Sequence, residues 1–117
     1  MSPASQSEVL QYARRQAERF LEDLKAFVAV PSVSTEPAYR ADIDRAARWL
    51  ADHMRALGFD AVEICPTGGH PVVYGEVLSA GPAAPTVLVY GHYDVQPAEP
   101  LELWTSAPYE PAARGDY

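Results

Sequence analysis

The chain has 117 residues, 48% hydrophobic and 21% charged, the make-up of one ordinary globular domain or part of one, with enough apolar surface for a core. Nine Lys and Arg against sixteen Asp and Glu give a net charge of −7, which repels phosphate backbones and anionic lipid, so a nucleic-acid partner is excluded as an expectation. The single cysteine, Cys65, rules out an internal disulfide framework and any Cys-x-x-Cys zinc or redox site, and fits a reducing, cytoplasmic compartment. No apolar run is long enough to span a bilayer and no leader pattern stands at the start, so no membrane partner is expected.

Ser5 or Ser7 can cap a helix with Glu8 in its first turn, and Leu10, Ala13, Ala17, Phe20, Leu21, Leu24, Phe27 and Val28 recur at three- and four-residue spacing. This predicts one long amphipathic helix over residues 8–29, ended by Pro31, which pushes its predecessor out of the helical region. Residues 31–37, Pro-Ser-Val-Ser-Thr-Glu-Pro, read as a polar connector. A second helix is predicted over residues 39–57, with Ile43, Ala46, Ala47, Leu50, Met54 and Leu57 on one face. Asp42, Arg45, Asp52 and Arg55 fall on the other, and Gly58 supplies a left-handed stop.

Two strands follow, residues 59–65 and 72–78, joined by the turn Pro-Thr-Gly-Gly-His-Pro at residues 66–71 and expected to pair as neighbours. After the breaker at residues 79–85, the continuous apolar run Thr86-Val-Leu-Val-Tyr90 predicts a central strand buried on both faces. Beyond Val95 the chain is too rich in proline for regular structure and, with Trp104 and Tyr109, too aromatic for a free linker. It is expected to wrap the sheet edge or a cleft. The fold class is therefore α/β, two helices followed by about three strands.

The chemistry-bearing stretch is Gly91-His92-Tyr93-Asp94. A buried strand ending there places His92 at the carboxyl end of the sheet, where α/β folds put ligand sites. Residues two apart in an extended segment point to the same side, so the Asp94 carboxylate can hold one imidazole tautomer while the other ring nitrogen binds a metal. The plainer alternative is a satisfied, partly buried histidine beside a turn-forming aspartate. His53 reads as a surface residue of its helix, with no second histidine at metal-ligand spacing. His70 stands in a turn, either merely solvated or offered to a substrate by a loop beside a cleft. Cys65 has no basic neighbour in sequence to activate it, and Arg114-Gly115-Asp116 is too short a tripeptide to carry information.

Gly91-His-Tyr-Asp-Val-Gln-Pro97, with Pro66-Thr-Gly-Gly-His-Pro-Val-Val-Tyr-Gly-Glu76 before it and Leu103-Trp-Thr-Ser-Ala-Pro-Tyr-Glu-Pro111 after it, resembles the zinc-dependent metallopeptidase family of carnosinase-type dipeptidases, aminoacylase, acetylornithine deacetylase and succinyl-diaminopimelate desuccinylase. The form of these stretches, and Val30-Pro-Ser-Val-Ser34, is most similar to the dipeptidase branch. The resemblance implies that residues 1–117 are the N-terminal part of a mixed-sheet zinc-exopeptidase catalytic domain, without its lid or dimerisation domain. It implies His92 as a zinc ligand and Asp94 as the catalytic-site carboxylate orienting that ring. It further implies two Zn2+ ions in the intact enzyme, at most one partial site in this chain, a dipeptide or N-acyl amino acid substrate, and a homodimer.

The family's bridging aspartate, its Glu-Glu pair and its remaining ligands have no counterpart here, and Asp116, on the wrong side of the family's turn, is not assigned. One His and one orienting Asp cannot make a catalytic zinc site, which takes three protein ligands. The expectation is a chain inactive alone, completed by the rest of the catalytic domain. The alternative is a self-standing small α/β binding or interaction module, which would need every sheet edge covered within its own length.

Overall fold

The computed structural model of the chain describes residues 5–115. Helix α1 spans Gln6–Arg15, α2 Ala17–Val28 and α3 Arg40–Ala56, the last entered through a 3-10 turn at Pro37–Tyr39. Strands β1 (Ala61–Cys65) and β2 (Val72–Glu76) follow, and a second 3-10 turn lies at Leu101–Leu103.

Ser5, rather than Ser7, caps α1. Its hydroxyl accepts from the Glu8 N–H at 3.3 Å while the Glu8 carboxylate accepts from the Ser5 N–H at 2.6 Å, a reciprocal capping box. The single helix expected over residues 8–29 is two. Gln16 leaves helical values (φ −100°, ψ 6°) although hydrogen bonds still cross it, Gln16 N–H to the Tyr12 carbonyl and Phe20 N–H to the Gln16 carbonyl. No side chain of α1 or α2 is fully buried, and α2 alone packs on α3, through Phe27 on Trp49.

Helix α3 buries the first part of its predicted face, while Leu50 and Met54 are half-buried, Leu57 is 51% exposed and Ala51, outside the predicted set, is buried. Ile43, Ala46, Ala47 and Ala51 are fully buried and form most of the core with Val30 and Val33. On the outer face Asp42 pairs with Arg45 and Asp52 with Arg55, one helical turn apart, contacts worth only tenths of a kcal/mol, about 0.3–0.5 each. Gly58 closes the helix at φ 86°, a value that suits glycine alone.

The hairpin forms as the pattern requires: β1 and β2 are antiparallel, with Ala61 opposite Glu76 and Cys65 opposite Val72. Helix α3 lies across this two-stranded sheet. The approach is closest at Gly75, where a Cβ would stand 2.9 Å from Cδ1 of Phe59 and 3.1 Å from Sδ of Met54.

The expected central strand is not formed. Residues 86–90 join no ladder, and Val87, Leu88, Val89 and Tyr90 are 80–89% exposed. A strand exists only through hydrogen bonds to a neighbour, and among the described residues the sheet stops at β1 and β2. The α/β composition therefore stands as three helices and a two-stranded sheet. The proline-rich segment folds back on the 33–39 segment, enclosing a groove of about 250 Å³ lined by Val33, Glu36, Tyr39, Pro97, Pro108 and Tyr109. The Trp104 indole N–H braces it by donating to the Ala98 carbonyl at 2.7 Å. Among the described residues no helix is long and apolar enough to cross a membrane.

Gly75→Ala should destabilise the chain by roughly 1–3 kcal/mol, because the methyl overpacks the space taken by the Phe59 ring and the Met54 side chain. A lowered urea midpoint with an unchanged slope is the expected result, and an unchanged midpoint would contradict the close packing.

Candidate metal-ligand site

The segment after α2 is short and largely buried. Val30, Ser32 and Val33 are buried, Ser32 being 3% exposed, so this stretch is an internal support and not the polar connector its composition suggests. It lies alongside the Tyr93–Val95 stretch in a one-bridge parallel pairing of Val33 with Val95. The Val95 N–H donates to the Ser32 carbonyl at 2.9 Å, and the Ser32 hydroxyl donates to the Tyr93 carbonyl at 2.8 Å. Burying the Ser32 hydroxyl is thus compensated by a partner.

This pairing brings Ser34 to Asp94, 60 positions apart in sequence, where its hydroxyl donates to Oδ2 at 2.6 Å. The other carboxylate oxygen, Oδ1, stands 3.0 Å from Nδ1 of His92, and the Asp94 carbonyl is 2.9 Å from the same nitrogen. A carboxylate and a carbonyl are acceptors only, so Nδ1 carries a proton, and in the neutral ring Nε2 keeps its lone pair. The His92 side chain is 76% exposed and that of Asp94 41%. The ring is therefore held from one edge and open to solvent at the other, the tautomer and orientation of a metal-ligating histidine.

The Asp94 carboxyl is held below the usual carboxylate range, chiefly by the Ser34 hydroxyl, against the opposing effect of its partial desolvation and with help from His92. Since the folded value is the depressed one, this bonding favours the fold above the ordinary carboxylate range and is lost as pH falls through the folded value. Tyr93, between the two, is pushed up by desolvation first, and its hydroxyl donates to the Pro71 carbonyl.

The other sequence candidates lie apart from this pair. His53 stacks on Trp49, which itself stacks on Phe27, with ring centroids 4.8 and 4.9 Å apart, so it belongs to a packed aromatic column. His70 is half-buried, and its Nε2 lies 2.8 Å from the Ser34 carbonyl. Cys65 is half-buried at the end of β1, and Asp116 lies outside the described residues. Ser34 is not singled out by the sequence, and His70 is read there only as a turn residue, solvated or offered to a substrate. The available signal for Ser34 was Ser-Val-Ser between two prolines, an alternation that puts both serines on one side of an extended segment. No local signal marks His70, whose partner is 36 positions away.

As a test of fit to a metal, one imidazole nitrogen is presented correctly, and among the described residues no group of three or more His, Cys, Asp or Glu side chains could hold an ion. The chain thus supplies one corner of a metal site, with the hydrogen-bonded carboxylate that such a histidine needs.

A hairpin under a helix, with a carboxylate-braced histidine on the segment that follows, is an α/β arrangement that presents one imidazole nitrogen to solvent. No family model matches the chain. It is 35% identical over 103 residues to the Cys-Gly metallodipeptidase DUG1 of Candida albicans, covering 78% of this chain and 21% of that protein. It is 33% identical over 119 aligned positions to the Beta-Ala-His dipeptidase of Homo sapiens, covering 92% of this chain and 23% of that one. The solved structure of the di-peptidase Dug1p from Saccharomyces cerevisiae superposes with a TM-score of 0.74 at 27% identity, over 87% of this chain and 23% of the other. The chain is a homologue of these dipeptidases, which fall in the dipeptidase branch of the resemblance, and spans about a fifth of the length of the curated relatives it matches.

Removing the Ser34 hydroxyl removes the largest influence lowering the Asp94 value. In Ser34→Ala, the Asp94 carboxyl 13C titration should move up toward the ordinary carboxylate range. An unmoved titration would mean that the hydroxyl does not hold the carboxylate in solution.

Proposed function

We propose that this chain is the N-terminal part of the catalytic domain of a two-zinc dipeptidase that hydrolyses dipeptides or N-acyl amino acids in the cytoplasm, as a homodimer in its intact form. In this reading His92 is a zinc ligand through Nε2, and Asp94 is the positioning residue that fixes the ring. The observation that carries it is the Asp94–His92 contact itself: Nδ1 is occupied by acceptors, so the remaining nitrogen is the free donor. The relatives' dipeptidase names support the substrate class.

When bound, zinc supplies Lewis acidity toward the scissile carbonyl of the substrate. The chain's own residues do the preparatory work. Asp94 keeps the proton on Nδ1 and makes the imidazole a stronger donor, Ser34 stops the carboxylate from rotating away, and the paired segments hold both in register. One ligand is short of the three a catalytic zinc takes, so the remaining donors and the general base come from the rest of the catalytic domain and the 117-residue chain is inactive by itself. The reading of the chain as a self-standing interaction module is disfavoured by the exposed apolar run at residues 87–90, a large uncovered patch for an independent domain.

In the full-length protein, His92→Ala should lose zinc by elemental analysis and abolish dipeptide hydrolysis. Asp94→Ala should lower hydrolysis about 10- to 100-fold, the usual effect of removing a ligand's carboxylate partner, while retaining more metal. Equal metal loss in the two variants would break the division of labour. Zinc-dependent turnover by the 117-residue chain, above its own His92→Ala control, would refute its dependence on the missing donors.

A further inference from the structure

The hairpin turn between β1 and β2 does more than reverse the chain. Thr67 braces it from within, its Oγ1 accepting from the Gly69 N–H at 3.0 Å and donating to the His70 carbonyl at 2.7 Å. The turn then reaches both segments that build the site: His70 Nε2 lies 2.8 Å from the Ser34 carbonyl, and the Tyr93 hydroxyl donates to the Pro71 carbonyl. A carbonyl can only accept, so His70 carries its proton on Nε2. From there the contacts run without a gap: His70 to the backbone of Ser34, the Ser34 hydroxyl to Oδ2 of Asp94 at 2.6 Å, and Oδ1 to Nδ1 of His92 at 3.0 Å.

We infer that His70 is a positioning residue for the metal-ligating histidine: by holding the Ser34 backbone, it aims the Ser34 hydroxyl at Asp94 and so fixes the tautomer of His92. The inference rests on the reading of His92 as a metal ligand. It adds a residue from the hairpin, remote in sequence, to the set that prepares the ligand. The Ser34 hydroxyl has one productive direction only if its own backbone is fixed, and the bridge of Val33 with Val95 ends one residue short of it. The His70 bond supplies the missing constraint beyond the last paired residue. Charge is not needed for this role, since a neutral Nε2–H donor suffices.

The test is the tautomer of His92 in the 117-residue chain, read from ring 15N shifts at a fixed pH about two units above the ordinary histidine value. The chain has three histidines, so the ring signals are few enough to assign by substitution. The wild type should hold His92 as the Nδ1–H form. In His70→Ala the ratio of Nδ1–H to Nε2–H should fall roughly 2- to 10-fold, the range that loss of one ordinary hydrogen bond commands, and Ser34→Ala should fall at least as far. His70→Gln, which can place an amide N–H where Nε2–H stood, should restore the wild-type ratio. An unchanged ratio in His70→Ala, or a lowered one that His70→Gln fails to restore, would overturn the inference. If His70→Ala does not fold, as judged from the amide signals of β1 and β2, His70→Gln decides alone: a wild-type ratio supports the role and a lowered one refutes it. The zinc content of full-length His92→Ala tests the ligand reading separately, so failure of that reading and failure of this one are distinguishable.

Discussion

The short parallel contact between residues 32–34 and 93–95 is the constraint on which the site depends. It has one bridge and a few hydrogen bonds, yet it closes a loop of about 60 residues that contains α3 and the hairpin. Loop closure costs entropy that grows slowly with length, so a small contact can hold it only with help. That help is burial: Val33 is 1% exposed and packs with Val30, Ile43 and the alanine face of α3 in one core. Apolar burial and the site's hydrogen bonds are therefore not separate achievements of the fold. Removing Val33 from the core would loosen the segment that delivers Ser34 to Asp94.

The same logic explains how much the sequence disclosed. Helix α3, its glycine stop, the hairpin and the His92–Asp94 pair are local: periodicity, turn chemistry and two-residue spacing specify them. The division of the first helix at Gln16 has no proline or glycine to announce it, and it separates α1 from α2, whose Phe27 stacks on Trp49 of α3. The run at residues 86–90 misled because its composition reports what environment it suits, not whether a neighbour is there to provide it. Ser34 and His70 were illegible for a third reason. Each acts through a partner 36 or 60 positions away, and only the folded register puts those partners together.

Composition also misjudged the segment between Pro31 and Pro37. Two serines, a threonine and a glutamate read as solvated, yet Ser32 is nearly as buried as the valine beside it. The cost of burying its hydroxyl is met by the Tyr93 carbonyl and that of its carbonyl by the Val95 N–H. Small hydroxyl side chains suit this position because they satisfy a neighbouring strand without displacing it. A larger polar side chain could not sit so close to the 93–95 backbone, and an alanine would leave the Tyr93 carbonyl without that donor.

The support of His92 is lopsided. On its carboxyl-terminal side Asp94 is tied through Ser34 and Val95 through Ser32, while on its amino-terminal side residues 86–90 make no ladder and stand 80–89% exposed at Val87–Tyr90. The imidazole plane is set by its contacts to Asp94, and the backbone entering it is set by nothing among the described residues. A single ligand so held can define a tautomer and a direction, because those need only one braced edge. It cannot define a coordination geometry, which needs at least two further donors fixed relative to it. The physical division is therefore clear: this chain prepares one donor atom, and the precision with which that atom meets a metal depends on whatever pairs with the run that precedes it.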